Sequence, residues 1–450
     1  MRTRLTNLWQ RLRASFWFLP SVLTCAAFLL ALAMVALDET VKREGWALPP
    51  GIYKGGPEGA RAVLSTVAGS MISVTGITFS ITIVALTLAS SQFGPRLLRN
   101  FMRDTGNQIV LGIFLATFVY CLMVLRRVHG AHDQIFVPHL SVTVGVVLAL
   151  GSLGVLIYFI HHVAQSIQAE NVIAAVGRDL DDAIEQFYPE TVGTSYKDDS
   201  ASGSPKLPQN FEREAVPLRA NHTGYIQAIE GHGLMKLAKA HKLIVRLNYK
   251  PGDYVIAGSP LVHLWPSSRA DEKLTDDIND VFIVGNQRTG EQDAEFAAHQ
   301  LVEIALRALS PGINDTFTAI NCIDRLGASL AKLAERVTPS GLRYDEENQL
   351  RLVTDVDTFK GILNAAFDQI RQNGRTNAAV TIRLLEIIRE IALHVHRQTH
   401  RAALLRQAEM IERSSHDALP EEEDRKDVQA RYREVMRTLQ SGTAAGSQPP

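Results

Sequence analysis

Seven residues have the types and spacing to handle an ion inside a membrane: Thr66, Gly69, Ser73, Gly76, Ser80, Thr87 and Ser90. With Ile83 they follow one another at alternating steps of three and four, which puts them on one stripe of a helix, the seam of a heptad a/d pattern. The other residues from Ala62 to Leu88 are mostly Val, Ile, Leu, Met and Ala. A helix that only sat in lipid would not need such a stripe. Small and hydroxyl-bearing residues on one face mean that the face meets a closely packed helix or water. Hydroxyls can replace part of an ion's hydration shell without placing a fixed charge in the membrane. Arg61 before the segment, and Arg96 and Arg99 just beyond it, would favour anions at the two mouths of such a path. The competing reading is a dry packing seam of the small-xxx-small kind.

A second constellation lies far downstream. Arg288 and Asp293 precede a helical stretch that carries Glu303 and Arg307 and ends at Ser310-Pro-Gly312, and Asn314 and Asp315 follow. These six are expected to converge on one polar junction. As a ligand or ion site it would signal to the membrane. As a corner it would use Asn314 or Asp315 to cap the next helix and hold Arg307 in a buried ion pair. His396 and His400 share a helix face, but no third ligand is placed, so no metal centre is expected. His161 and His162 fall at a membrane interface, where they are expected to be solvated. Cys25, Cys121 and Cys322 are far apart and read as reduced, structural thiols.

Enzyme signatures are missing: there is no Walker A string, no G-x-S-x-G, no H-E-x-x-H and no kinase set. No cofactor and no enzymatic activity are expected. The apolar segments carry essentially no ionisable side chains at their centres, which argues against proton-coupled pumping and intramembrane proteolysis.

The elements that must position these residues divide the chain in two. It has 450 residues, 46% of them hydrophobic and 21% charged, with a net charge of -1, which excludes a polybasic nucleic-acid binder. Crossing the hydrocarbon core takes about 20 apolar residues. Trp17 to Leu37, Ala62 to Leu88, Ile109 to Leu125 and Leu140 to Ile160 each meet that need. The first run is too long for a signal-peptide core and lacks a small-x-small cleavage site. Arg2, Arg4, Arg11 and Arg13 before the first span, and Arg96, Arg99 and Arg103 after the second, put both termini in the cytoplasm. Lys42, Arg43, Lys54 and Arg61 in the first loop, and Arg126 and Arg127 in the third, weaken that contrast.

Beyond His162 an amphipathic helix, about Ala164 to Phe187, continues the fourth span. Residues from Thr194 to Gln209, rich in Ser, Gly, Pro, Asp and Lys, read as a linker. Short strands follow between Glu214 and Leu264, with turns at Pro251-Gly-Asp253 and Gly258-Ser-Pro260. Lys250 to Leu261 resembles the hairpin of biotinyl and lipoyl carrier domains. A carrier lysine would follow that motif, whereas Leu234-Met-Lys-Leu237 precedes it, so no attachment is expected. From Lys273 to Leu439 the pattern is mostly helical, and Ser441 to Pro450 reads as a disordered tail.

Two strings, Arg288-Thr-Gly-Glu-Gln-Asp293 and Glu303 to Asp315, together with the span from Ser70 to Pro95 ending Ala-Ser-Ser-Gln-Phe-Gly-Pro-Arg96, resemble a bacterial family of predicted membrane proteins of unknown function (domain of unknown function 2254). The resemblance covers most of the chain. It implies an N-terminal membrane domain and a cytosolic domain, and it supplies no activity.

The sequence therefore predicts a membrane α-helical protein with four transmembrane helices plus a cytosolic α+β part. The layout is a membrane domain (1–163), a helical extension (164–189), a linker (190–212), a small β-barrel or sandwich module (213–268), a helical domain (269–440) and the tail (441–450). The expected setting is the bacterial inner membrane, with the lipid bilayer, further copies of the chain and ions as partners. The expected function is an oligomeric, anion-favouring channel regulated by its cytosolic part. The alternative is a non-conducting sensor or scaffold whose cytosolic part binds a partner or ligand.

Overall fold

The computed structural model describes residues 17–46, 49–94, 104–129, 136–188, 207–267 and 272–444. The chain separates into two compact units, Met1–Asn171 and Val172–Pro450.

The first unit holds the four apolar runs as helices α1 (Phe18–Glu44), α2 (Pro57–Phe93), α3 (Thr105–Leu125) and α4 (His139–Ser166), each long and apolar enough to cross a membrane. Local chemistry sets their ends. α1 stops at Gly45, which adopts a left-handed φ of 68° and donates its N–H to Val41. α2 starts with Pro57, whose missing N–H would have no partner in a first turn. Asp104 caps α3, accepting the N–H of Gly106 at 2.7 Å. α4 follows Pro138, which offers no capping side chain. Asp38 of α1 supplies that cap instead. Its carboxylate accepts the N–H groups of Leu140 and Ser141 at 2.9 and 2.8 Å and the Ser141 hydroxyl at 2.6 Å. A charged group at the end of a span is thus buried and fully engaged.

α3 is the most enclosed of the four. Phe114, Tyr120, Cys121 and Val124 are buried, and the Tyr120 hydroxyl donates to the carbonyl of Ser141 at 3.0 Å. Leu29, Val147, Leu150 and Ile157 lie on the outside of the bundle. A soluble protein rarely exposes so much contiguous apolar surface, but lipid covers it without cost. α2 has 37 residues. At 1.5 Å per residue it is about 55 Å long, against a hydrocarbon core of about 30 Å. Arg61 donates to the carbonyl of Val128 at 3.1 Å, which sets α2 against the far end of α3. Counted from there along the two antiparallel helices, α2 continues past the level of Asp104, where α3 begins.

The second unit starts with most of α5 (Ala169–Phe187). The sequence predicts one helix running on from the fourth span, but helical structure breaks at Ile167 and Gln168 and restarts at Ala169. α5 packs through Val172, Ile173, Val176, Leu180 and Ile184. The predicted linker lies outside the described residues as far as 206. After it come a one-turn helix α6 (Phe211–Glu214) and the strands β1 (Val216–Arg219), β2 (Gly224–Ile229), β3 (Ile244–Leu247), β4 (Tyr254–Val255) and β5 (Pro260–Trp265), with α7 (Gly231–Ala240) between β2 and β3. Next are α8 (Glu272–Val281), β6 (Phe282–Gly285), α9 (Ala294–Ala308), α10 (Thr316–Glu335), β7 (Leu342–Tyr344) and β8 (Leu350–Val353). Four helices complete the unit: α11 (Phe359–Gly374), α12 (Ala378–Leu393), α13 (Gln398–Ala418) and α14 (Glu422–Ala444).

The strands do not close into a barrel. They form two open sheets, one of five strands in the order β1-β5-β3-β8-β7 and one of three in the order β4-β2-β6. The reason is β8, which pairs parallel to β3 through Val245–Leu352 and Arg246–Val353 and so extends that sheet outward. Strands this short also lack the length for the tilt and stagger of a barrel. Both sheets, α7 and α8 share one apolar core that includes Leu234, Val245, Val255, Val262, Ile278, Phe282 and Leu352. The β-rich part therefore draws on residues well beyond 268. The predicted tail also differs: α14 reaches Ala444, and 445–450 lie outside the described residues.

Candidate functional site

The Ser/Thr/Gly stripe lies on the outside of the first unit. Thr66, Gly69, Ser73, Gly76, Ser80 and Thr87 are exposed, and Ser90 is half-buried. The face that α2 turns toward its own bundle is a different one, made of Ala60, Leu64, Ala68, Thr75, Thr78, Thr82, Ala85 and Ala89. A Cβ added at Gly69 or Gly76 would meet nothing within 4 Å, so neither glycine serves a close approach within the chain. Ser73, Ser80 and Thr87 each donate to the carbonyl four residues back, at 2.9 Å. Their donors are satisfied along the helix and their lone pairs face outward. With no donor left unmatched such a face tolerates lipid, and its small residues also allow close approach of another protein copy.

The charges expected at the mouths fare differently. The Arg61 guanidinium is held by the Val128 carbonyl and lies 3.6 Å from Glu58, so it secures the α2–α3 contact. Arg96 and Arg99 lie outside the described residues. His162 does not stand solvated: its Nε2 meets Asp104 at 2.7 Å, and its ring stacks on Tyr158. The inward threonines Thr75, Thr78 and Thr82 escaped the sequence reading, although their spacing of three and four was present in it. They sit beside the more conspicuous stripe, and their facing was not legible before the helices were assembled.

In the second unit the six junction residues separate into two groups at opposite ends of α9. The helix has 15 residues, about 22 Å. At its start, Arg288 forks onto Asp293, with Nε to Oδ2 at 2.5 Å and Nη2 to Oδ1 at 2.9 Å, while Asp293 also caps α9 by accepting the N–H of Phe296. At its finish, Arg307 pairs with Glu303 one turn back at 3.7 Å. Asn314 takes a left-handed φ of 51°, and Asp315 caps α10 through the Thr318 N–H at 3.0 Å and the Thr318 hydroxyl at 2.6 Å. Those Thr318 bonds hold the Asp315 carboxyl below the usual range.

The charged centre at the start of α9 contains residues that sequence reasoning did not single out. Lys250, from the loop between β3 and β4, bonds Asp357 and lies 3.4 Å from Glu295, and Arg288 reaches Glu295 at 3.5 Å. Tyr188, buried just after α5, donates its hydroxyl to the carbonyl of Asp357 at 2.9 Å. Three carboxylates and two cations are thus gathered where the β-rich part, α9 and the approach to α11 meet. Burial raises the Asp357 carboxyl, and the bond to Lys250 opposes that rise. Burial works against the charge of Lys250, but its bonds to Asp357 and Glu295 outweigh it and the ammonium is held above its ordinary value. Arg288 follows the same pattern with Asp293. Gly252 approaches so closely, at a φ of 96°, that a Cβ there would collide with the Asp293 carboxylate. Arg288 and Asp293 stood out in the sequence, but the one signal for Lys250 was the Pro-Gly-Asp turn beside it, which reads as a hairpin.

The centre's cations and carboxylates are already paired with one another, so its chemistry is that of a lock between elements. Among the described residues, no group of three or more His, Cys, Asp or Glu side chains is placed to hold a metal ion.

No solved structure matches the chain significantly. Two curated relatives do: "Uncharacterized protein Mb1321c" of Mycobacterium bovis and "Uncharacterized protein Rv1290c" of Mycobacterium tuberculosis. Each is 33% identical over 422 residues, covering 92% of this chain and 78% of its own length. Residues 13–390 match the family described as "Predicted membrane protein (DUF2254)". That span takes in the four apolar helices, the outward stripe and the charged centre, and the chain belongs to this family of predicted membrane proteins.

Proposed function

We propose that the protein is an oligomeric, passive ion channel of the bacterial inner membrane, assembled and lined through the Ser/Thr/Gly face of α2 and regulated by its cytosolic second unit. One observation carries this reading: the stripe points away from its own bundle, with open space at Gly69 and Gly76. In a closed ring of copies the same face of each α2 would meet at the axis. The outward lone pairs of Ser73, Ser80 and Thr87 could then replace part of a passing ion's hydration. The preference for anions rests on the basic residues of the sequence alone, since Arg61 is engaged in holding α2 to α3.

A second reading has its own support. The stripe hydroxyls have already spent their donors on their own helix, which is also what a dry seam between copies requires. The protein would then be a non-conducting sensor or scaffold.

Ion flux in proteoliposomes separates the two readings, with chloride compared with potassium and wild type with Ser73→Leu/Ser80→Leu. The channel reading expects selective flux in the wild type and at least a tenfold loss in the variant, with both proteins oligomeric by native mass spectrometry. Oligomers that carry neither ion across a range of voltages and pH values would make the seam reading correct.

A further inference from the structure

The corner between α9 and α10 carries an exposed apolar tip. Phe317 is 81% exposed, the highest value of any large apolar side chain among the described residues, the apolar helices of the first unit included, and Ile313 is 51% exposed. The tip is rigid. The amides of Ile313 and Asn314 donate to the Ser310 carbonyl at 3.0 and 2.9 Å, that of Asp315 to Ala308 at 2.7 Å, and that of Thr318 to the Asp315 carboxylate at 3.0 Å. A turn whose amides are satisfied internally can enter an apolar layer without stranding them there. The carboxylates of the corner are engaged too, Asp315 by Thr318 and Glu303 by Arg307. Asn377 Nδ2 donates to Thr316 Oγ1 at 2.8 Å, which brings the turn between α11 and α12, with its exposed Arg375, alongside.

The packing of α10 shows which end of the second unit this tip occupies. α10 lies along α5 in parallel and in constant register. A Cβ on Gly177 would lie 3.4 Å from the Arg325 side chain, Ser329 donates to Asp181 at 2.5 Å, and Arg336 donates to the carbonyl of Tyr188 at 3.4 Å, each pair 148 positions apart. The same offset sets Phe317 level with Ala169, the first residue of α5. Both helices therefore start at one end of the unit. Only Ile167 and Gln168 separate Ala169 from Ser166, where α4 ends. Fully extended, that link spans about 11 Å. α4 has 28 residues and is about 42 Å long, the thickness of a bilayer with its headgroups. The chain connection alone thus keeps the start of α5 close to the headgroup layer. α12 runs beside α10 in the same direction, from Asn377 at Thr316 to His394, which meets Glu335 at 2.7 Å. Leu393, 62% exposed, marks the opposite end of the unit.

We propose that Ile313 and Phe317 anchor the second unit on the bilayer surface, their side chains entering the boundary between headgroups and acyl chains, with the Arg375 guanidinium among the headgroup phosphates. Lipid is the occupant because the chain itself delivers this end of the unit to the membrane. An aromatic ring and an aliphatic neighbour beside a cation have the chemistry that settles at such an interface. The anchor rests on the fourth span crossing the membrane, and it does not depend on whether the stripe of α2 conducts.

The test attaches a nitroxide to single cysteines in the full-length protein, with the exposed Cys25 replaced by alanine and the buried Cys121 and Cys322 left in place. Ile313→Cys, Phe317→Cys and Leu393→Cys are each reconstituted into vesicles of phosphatidylcholine and phosphatidylglycerol. Collisions of the nitroxide with oxygen, which concentrates in lipid, are compared with collisions with a water-soluble nickel chelate. The labels at positions 313 and 317 should collide with oxygen and lose most of their collisions with the chelate. The label at position 393, which also replaces an exposed apolar side chain, should keep them. Equal access of the chelate to positions 317 and 393 would overturn the proposal. Shielding of position 317 from both reagents would mean that protein covers the tip, and would overturn it as well.

Discussion

Asp38 acts across 102 and 103 positions of sequence, as the cap of a helix that cannot cap itself. Three bonds to one buried carboxylate are strong because the acceptor is charged. Asp38→Ala should therefore cost about 2 kcal/mol or more, since the first amides of α4 and the Ser141 hydroxyl would be left in an apolar setting. Asp38→Asn should recover part of the loss. Reversible unfolding by a denaturing detergent would measure both, and an alanine variant within a few tenths of a kcal/mol of the wild type would contradict this role. Asp315 makes the same kind of cap locally, to Thr318, and that role was legible in the sequence because cap and helix are adjacent. The Asp38 cap was not, because nothing near Asp38 in the chain announces its partner.

At the scale of elements, the four membrane helices were readable because a run of about 20 apolar residues has few other uses. α10 was readable from its Asp315 cap and α12 from its amphipathic pattern, although the Asn377 cap of α12 was not singled out. The β-rich part was only half readable. Its strands between 214 and 264 show alternation, but the hairpin of β7 and β8 lies about 80 residues beyond β5 and joins the same sheet, which turned an expected barrel into two open sheets. The six-residue junction failed to gather for a related reason: α9 stands between its two halves as a rigid spacer. What gathers instead comes from separate elements, through Lys250, Arg288, Asp293, Glu295 and Asp357. Gly252 tests that meeting. Gly252→Ala would force an unfavourable φ and push on the Asp293–Arg288 pair, whereas Gly258→Ala, at a φ of 87° in open space, meets only the first difficulty. Thermal unfolding should show a loss of about 1 kcal/mol for Gly258→Ala and about 3 kcal/mol for Gly252→Ala. Equal losses would mean that the ion pair yields without consequence.

At the scale of the molecule, the chain combines an apolar four-helix unit with a larger α+β unit, and each has its own core. The first unit buries one face of its longest helix and leaves the polar-flecked face uncovered. In the second unit, a dense set of ion pairs fixes the β-rich part to the helices and, through Tyr188, to the end of α5.

The most direct measurement is the reactivity of single cysteines along α2 in membranes, in a background with the exposed Cys25 replaced by alanine. Cysteines would replace Thr66, Ser73, Ser80 and Thr87 on the stripe, and Ile72 and Ile77 on the flanks, and would meet a charged, water-soluble thiol reagent while ion flux is recorded. A water-lined path predicts that the stripe positions react and that flux is blocked, while the flanking positions stay inert. Stripe cysteines that never react but form disulfides between copies would contradict the channel and establish a dry seam.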